Sequence, residues 1–240
     1  MTETWFSPRR LQEQARAPDR ERVGGDFGSY AQALRTGSIV GTEAASHNLV
    51  HAEGRVRQYR HVLRRRSFTA IADIGCGLGF TAAALAKAFP GARVVGYELS
   101  PDAVAFASQH FPGVHFLCQG IDTTTEFGEQ FDLMLCQEFY PFTRTSDWVI
   151  QKSFIDMALR HLRPGGHLII ELSERDRERT ILANMAELNS YEPRMRRLAF
   201  DRIYRNLKVF WLSRWVSVLA SALYRVNQNI VLVFERQPDS

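Results

Sequence analysis

The sequence predicts an α/β fold: a mostly parallel sheet with helices on both faces. Three observations predict it. Short apolar runs alternate with helical patterns through the middle of the chain, the arrangement that builds parallel sheets. The first of these runs ends in an acid and a glycine-rich loop that opens directly into an alanine-rich stretch. And 240 residues with 45% hydrophobic content are enough for one α/β domain with a sizeable core.

Residues 1–26 carry Pro8, Pro18, Gly24 and Gly25 among many charges and read as a flexible arm. Arg9, Arg10, Arg16, Arg20 and Arg22 alternate with Glu3, Glu13, Asp19 and Glu21, which favours a solvated segment over a phosphate-binding one. The stretch FGSYAQAL at 27–34 suggests a short helix, and Gly37 and Gly41 separate it from a longer one at about 42–65. Glu43, His47 and His51 recur every fourth residue there and share a face. The cluster Arg64-Arg65-Arg66 complements the dipole at that helix's C-terminus.

The segment from Ile71 to Phe80, IADIGCGLGF, reads as strand, tight loop and helix start, and Thr81 to Phe89 continues the helix. Glycine tolerates positive φ and lets backbone N–H groups approach a ligand, and a helix N-terminus favours an anion. Such a loop could cradle the carboxylate end of a nucleoside-containing cofactor. A dinucleotide fingerprint requires G-x-G-x-x-G. Here its third glycine position holds Phe80, and the pattern is D-x-G-x-G-x-G from Asp73 through Gly75, Gly77 and Gly79.

That pattern resembles motif I of the class I S-adenosylmethionine-dependent methyltransferases, and the elements after it keep the family's order. Ala92 to Glu98 is a second strand ending in an acid, about 20 residues beyond the loop, where a ribose-binding carboxylate belongs. Glu98 is expected to accept from both ribose hydroxyls. Ser100-Pro101-Asp102 reads as N-cap and first turn of a helix ending at His110. Val114 to Cys118 is a third strand, and the acid after it, Asp122, fills the slot that the resemblance assigns to the adenine amino group. Phe131 to Cys136 is a fourth strand, and Leu162-Arg163-Pro164-Gly165-Gly166 resembles the family's turn into the fifth. Helices are expected at Trp148–His161 and at about 176–189, with a sixth strand at 194–201 and a closing strand at Asn229–Arg236.

The resemblance implies a Rossmann-like, seven-stranded sheet whose last strand is antiparallel, with residues 66–240 as core, a helical insertion at about 203–227, and residues 1–65 as arm and helical lid. It implies S-adenosylmethionine as cofactor, with S-adenosylhomocysteine as product. Asp73, Gly75, Cys76, Gly77, Gly79, Glu98, Leu99, Ile121, Asp122 and Gln137 are its expected contacts. On the lid face His47 is a candidate general base. The stripe could otherwise be solvated or, with two histidines four apart, ligate a metal. No metal is expected, because a sulfonium is already activated for transfer.

The loop from Gln137 to Thr143 follows a strand's carboxyl end, where ligands sit in open α/β sheets. It lacks the N-P-P-Y or D-P-P-Y signature of enzymes acting on nucleic-acid bases. Tyr140 and Phe142 could shelve a flat acceptor, with Glu138 or Tyr140 taking its proton; the alternative is that Phe139 and Phe142 are core and Glu138 is solvated. The expected reaction is methyl transfer to a small molecule, on oxygen rather than nitrogen. Methylation of RNA or protein, through basic residues such as Arg194, Arg196 and Arg197, and a non-catalytic scaffold are the alternatives.

A net charge of +4 and a pI of about 9.1, spread among 26 acids, is unlike the concentrated charge of a nucleic-acid binder, so DNA is not expected as a partner and RNA is disfavoured. Cys76, in the glycine loop, and Cys118 and Cys136, on strands expected to be interior, lack metal-ligand spacing and read as reduced thiols packed as small apolar groups. Cys76 also lies beside a helix N-terminus, where a thiol can be reactive. With no apolar leader in the first 22 residues, the chain is expected in the cytoplasm. The apolar stretch 204–226 is interrupted by Arg214 and flanked by strands, so it is not read as a membrane span. It remains open as a cover on the sheet or pocket, a homodimer surface, or an interfacial helix in weak contact with a membrane surface.

Overall fold

The computed structural model describes residues 49–63, 67–173, 178, 180–190, 195–203 and 229–237. The arm at 1–26, the helix at 27–34, Glu43, His47, the cluster 64–66 and the segment 204–226 lie outside the described residues. The seven described strands divide between two compact units that meet in sequence at Asp122 and Thr123.

The unit ending at Asp122 comprises α1 (Leu49–Val62), β1 (Ala70–Ile74), α2 (Phe80–Ala88), β2 (Arg93–Glu98), α3 (Pro101–His110) and β3 (His115–Cys118). β2 pairs in parallel with β1 on one side and β3 on the other. All five residues of β1 are buried, as a parallel strand covered on both faces requires. The Ser100 side chain accepts from the Ala103 N–H at 3.3 Å and Pro101 opens α3, so its start follows the sequence cue. α1 buries the stripe Ala52, Val56 and Tyr59, with Leu63 buried just past its end, packs on α2, and carries Glu53, whose carboxylate lies 2.8 Å from Lys87 in the last turn of α2.

One aromatic ring sets the spacing beneath the glycine loop. A Cβ on Gly96 would lie 2.6 Å from Phe116 Cδ1 and 2.8 Å from Cys76 Sγ. A Cβ on Gly79 would lie 2.7 Å from Phe116 Cζ and 2.8 Å from Ala107 Cβ. Phe116 therefore occupies space that exists because both residues lack a side chain.

The second unit comprises β4 (Phe131–Gln137), α4 (Tyr140–Thr143), α5 (Trp148–His161), β5 (Leu162–Ser173), a 3-10 turn (Ile181–Asn184), α6 (Met185–Ser190), β6 (Met195–Ile203) and β7 (Asn229–Arg236). β5 pairs in parallel with β4 and antiparallel with β7, and β7 pairs antiparallel with β6. The closing strand is thus inserted antiparallel between the fifth and sixth, and the α/β, Rossmann-like class stands. Asp147 starts α5 by accepting from the Val149 and Ile150 N–H groups at 2.9 and 3.3 Å.

Two expectations need correction. Cys118 is exposed, because it is the terminal residue of β3, which among the described pairings has a partner on one side only; Cys136 is buried as expected. The helix expected over 176–189 is, where described, a 3-10 turn followed by the short α6. Thr180 is extended at φ −129° and ψ 176°, and its hydroxyl caps Leu182, so a new start is made at Ile181.

Gly96→Ala is expected to lower stability by about 1–3 kcal/mol through overpacking, read as a lower urea midpoint. Adding Phe116→Leu should return part of it. Gly113→Ala, which meets nothing within 4 Å, should be near neutral.

Candidate functional site

The glycine loop follows β1 with Gly75, Gly77 and Gly79 at φ 70°, 54° and 79°, so each glycine sits where a side chain would be strained. Its amides, however, do not form an outward cradle. The N–H groups of Gly75 and Cys76 both donate to the Tyr97 carbonyl at 2.8 and 3.0 Å. Gly77 N–H donates to Glu98 Oε2 at 2.9 Å, and Gly79 N–H to the Cys76 carbonyl at 3.0 Å. These four amides are thus bound within the protein. Gly79, with the packing described above, serves Phe116.

Glu98 ends β2 and is 4% exposed. Its Oε1 accepts from the N–H groups of Leu99 and Ser100 at 2.7 and 2.9 Å, while Oε2 takes Gly77. Burial raises its pKa, and the three backbone donors oppose that rise. A carboxylate has about four acceptor positions, so roughly one remains, on Oε2. Receiving two hydroxyls at once would require one of the three backbone bonds to yield.

Asp73 lies in β1 and is 1% exposed. Burial pushes its pKa up to about 7; Arg55 and the Ala82 N–H in the first turn of α2 lower it, and Glu98 raises it. Its Oδ2 has no hydrogen-bond partner. Cys76 is half-buried, and burial together with Asp73 and Glu98 raises its thiol well above the ordinary value, so it stays protonated and is not an activated nucleophile.

The structure thus brings Asp73, Gly75, Cys76, Gly77, Glu98 and Leu99 together around one loop. Ile121 is buried and Asp122 half-buried after β3 in the same unit. The sequence reading missed three residues of α1: Arg55 Nε, Gln58 Oε1 and Tyr59 Oη are buried without hydrogen-bond partners. Their spacing of three and four on one helix was available as a signal, but nothing in sequence marks such groups as unpaired. His51, on the same helix, is half-buried.

Gln137, Glu138 and Tyr140 belong to the other unit. Gln137 ends β4 in register with Glu171 of β5, a carboxylate only 1% exposed that sequence reading also missed. Glu138 is exposed and holds φ 49°, the non-glycine residue with positive φ among those described. Its N–H donates to the Glu171 carbonyl at 2.8 Å, and the Glu138 carbonyl accepts from the Thr143 hydroxyl at 3.4 Å. Where a loop was expected, Tyr140–Thr143 form the short helix α4. Phe142 is 1% exposed and so belongs to the core, not to a shelf. Tyr140 is half-buried with its ring edge-on to Phe139 and Phe154 at 5.7 and 5.8 Å. No group of metal-ligating side chains and no helix long and apolar enough to cross a membrane occurs among the described residues.

A family model described as a methyltransferase domain matches residues 71–166, from β1 into the first half of β5. The chain is 30% identical over 128 residues to a trans-aconitate 2-methyltransferase of Azoarcus sp. (strain BH72), which covers 52% of this chain and 48% of that one. It is 29% identical over 110 residues to a ubiquinone biosynthesis O-methyltransferase of Coxiella burnetii, covering 44% of each. The chain therefore matches less than half the length of these relatives. Among solved structures, the N-methyltransferase NodS of Bradyrhizobium japonicum WM9, in complex with S-adenosyl-l-homocysteine, superposes with a TM-score of 0.57 at 19% identity, over 80% of this chain and 90% of that one. At that identity the likeness is one of fold.

Two outcomes follow from the buried and strained acids. Folded Asp73 holds its proton to about pH 7, whereas its ordinary value is 3.8, so its contribution to stability is present at acid pH and lost as pH rises through 7. Asp73→Asn should raise the melting temperature at pH 8, by up to about 4 kcal/mol in stability, with the gain shrinking toward pH 4. Glu138→Gly should keep or raise stability by up to about 1 kcal/mol by relieving the left-handed backbone, while Glu138→Val lowers it; thermal melts distinguish the two.

Proposed function

We propose that the chain is a class I methyltransferase with S-adenosylmethionine as its cofactor, a reading supported by the methyltransferase-domain match over residues 71–166, and that it methylates a small-molecule acceptor, on oxygen in preference to nitrogen. The observation that carries this reading is the pair of buried acids, Asp73 and Glu98, gathered about the glycine loop at the carboxyl side of adjacent parallel strands. Ligands of open α/β sheets bind there. The residues suit the cofactor: Asp73 Oδ2 lacks a donor, Glu98 Oε2 keeps acceptor capacity, and an aminoacyl nucleoside brings ammonium and hydroxyl donors.

When bound, the sulfonium cofactor supplies an activated methyl group for in-line displacement, with S-adenosylhomocysteine as product. The chain's own contribution is to bind, orient and exclude water. Glu98 would hold a ribose hydroxyl, Ile121 would line the base with an apolar side chain, and Asp122 would accept from its amino group. Positioning and desolvation can supply most of the acceleration for so reactive a donor.

A general base is needed where the acceptor is a phenol or alcohol, protonated at working pH. Glu138 and Tyr140 are the proposed candidates, with Gln137 beside them as a cofactor contact. Glu138 keeps a backbone conformation that glycine would occupy with less strain, which supports a side-chain role. His47 stays a candidate from the sequence. In this reading residues 1–65 serve as arm and lid, 66–240 as core, and the enzyme works in the cytoplasm, where its thiols remain reduced. The similarity to enzymes named for ubiquinone biosynthesis and trans-aconitate supports a small acceptor.

Isothermal titration tests the assignment. S-adenosylmethionine and S-adenosylhomocysteine should both bind with micromolar affinity, about −8 kcal/mol, and Glu98→Ala should weaken both by roughly tenfold or more. Absence of binding at millimolar concentrations of either ligand would remove the assignment.

A further inference from the structure

The turn at 138–146, which carries Glu138 and Tyr140, is exposed and strained at its first residue, yet it is tied at both ends. At the near end the Glu138 N–H donates to the Glu171 carbonyl at 2.8 Å, which fastens the turn to β5. Within it the Thr143 hydroxyl donates to the Phe139 carbonyl at 3.1 Å. At the far end the ties come from two side-chain amides on other elements. Gln151 of α5 is fully buried, and its Nε2 donates to the Thr145 carbonyl at 2.6 Å. Asn184, which ends the 3-10 turn, donates through Nδ2 to the Ser146 carbonyl and to Gln151 Oε1, each at 2.8 Å.

These bonds join segments that are distant in the chain. Gln151 and Asn184 lie 33 residues apart, with the whole of β5 between them. Asn184 is held within reach because the Thr180 hydroxyl accepts from the Leu182 N–H at 3.3 Å and the Ile181 and Leu182 side chains are buried. α4, in the middle of the turn, packs on β5, α5 and the 3-10 turn. Both polar atoms of the Gln151 side chain have partners. An apolar pair would fill the same space with fewer geometric demands, whereas a buried polar network with its atoms satisfied specifies one arrangement. Here it specifies where the Thr145 and Ser146 carbonyls lie. A residue such as Glu138, at φ 49°, persists only when its surroundings over-determine it, and ties at both ends of the turn do so.

We propose that Gln151 and Asn184 are positioning residues: their amides clamp the far end of the turn at 138–146 and so hold Glu138 and Tyr140 in one place for the acceptor. The proposal rests on the reading of that turn as the acceptor side of a methyltransferase. Each residue acts through the Thr145 and Ser146 carbonyls rather than on the acceptor itself. The segment after β5 thereby governs the turn after β4, and loss of the clamp is felt at Tyr140, whose ring stands edge-on to Phe139 and Phe154.

The test follows hydrogen exchange at the bonded amides of the turn, those of Glu138, Phe142, Arg144 and Asp147, in the full chain, in Asn184→Leu, in Gln151→Met and in the double variant. Leucine and methionine keep most of the volume and remove the amides, and thermal melts confirm that each variant is folded. Should Gln151→Met fail to fold, Asn184→Leu decides alone, its site being 9% exposed. Exchange at these amides should be roughly tenfold faster in each variant, while α5 and β5 stay within about twofold. The double variant should match either single one, because the clamp works as a unit. With 3-fluorotyrosine at the tyrosines, the Tyr140 fluorine signal, identified by its loss in Tyr140→Phe, should shift in the same variants. Unchanged exchange in the turn, a rise spread evenly through α5 and β5, or an unmoved Tyr140 signal would overturn the positioning role. Titration of the same samples with S-adenosylhomocysteine separates the clamp from the cofactor reading. The variants should bind within about twofold of the unsubstituted chain, and failure of the unsubstituted chain to bind would overturn the methyltransferase reading on which the role rests.

Discussion

Three backbone N–H groups converge on the Glu98 carboxylate, and through them the glycine loop is fastened to the end of β2. Much of the candidate site depends on that convergence. It fixes Gly77 and thereby the turn between β1 and α2, and it lets a carboxylate lie 4% exposed with backbone donors on both oxygens. Burial alone would drive Glu98 towards its neutral form; backbone dipoles oppose this. The same bonds limit what the residue can offer a ligand, since most of its acceptor capacity is used before any ligand arrives. Asp73 is the counterpart with the opposite economy of contacts. It has one described backbone donor, an unpartnered oxygen and a pKa near 7, so it is the acid whose state a bound cation changes most. One acid holds the loop, and the other is poised for a partner.

Packing and chemistry meet at the glycines. A βα turn requires positive φ, which explains Gly75, Gly77 and Gly79 as backbone. It does not explain Gly96, which lies within a strand, where glycine is ordinarily a weakness. The Phe116 ring explains it, because the ring fills the space beside Gly79 and, with Cys76 Sγ, the space that a Cβ on Gly96 would need. The loop is therefore held from two directions, by Glu98 through its amides and by Phe116 through absent side chains. A third constraint keeps Cys76 inert: two nearby acids and burial disfavour a thiolate, despite the helix N-terminus that would otherwise favour one.

Much of this was legible from the chain. Residue spacing located β1, the loop, α2 and β2, and Ser100-Pro101 marked the start of α3, because these features are set by local rules of turn, cap and period. Asp73 and Glu98 could be named for the same reason. What could not be read was where each hydrogen bond goes. Glycine spacing is equally compatible with amides that face a ligand and amides that face Tyr97 and Glu98. Nor does α1 announce its polar atoms: Arg55 and Gln58 look like solvated helix residues, and Tyr59 like core. Over 176–189 a helical pattern was interrupted by a single capping threonine, Thr180, whose extended backbone a periodicity argument does not see. At the end of β3 a cysteine expected inside is exposed, because β3 is paired on one side only.

The division of labour within the unit ending at Asp122 has a physical rationale. Glycine-loop amides that were left unpaired to await a ligand would weaken the fold throughout its ligand-free life, since buried unpaired donors are costly. Closing them onto Tyr97, Glu98 and the Cys76 carbonyl removes that burden. The helix α1 packs against α2, and its stripe of Ala52, Val56 and Tyr59 is buried. Among the described residues of this unit, Arg55, Gln58, Tyr59 and Asp73 carry the buried side-chain atoms without partners.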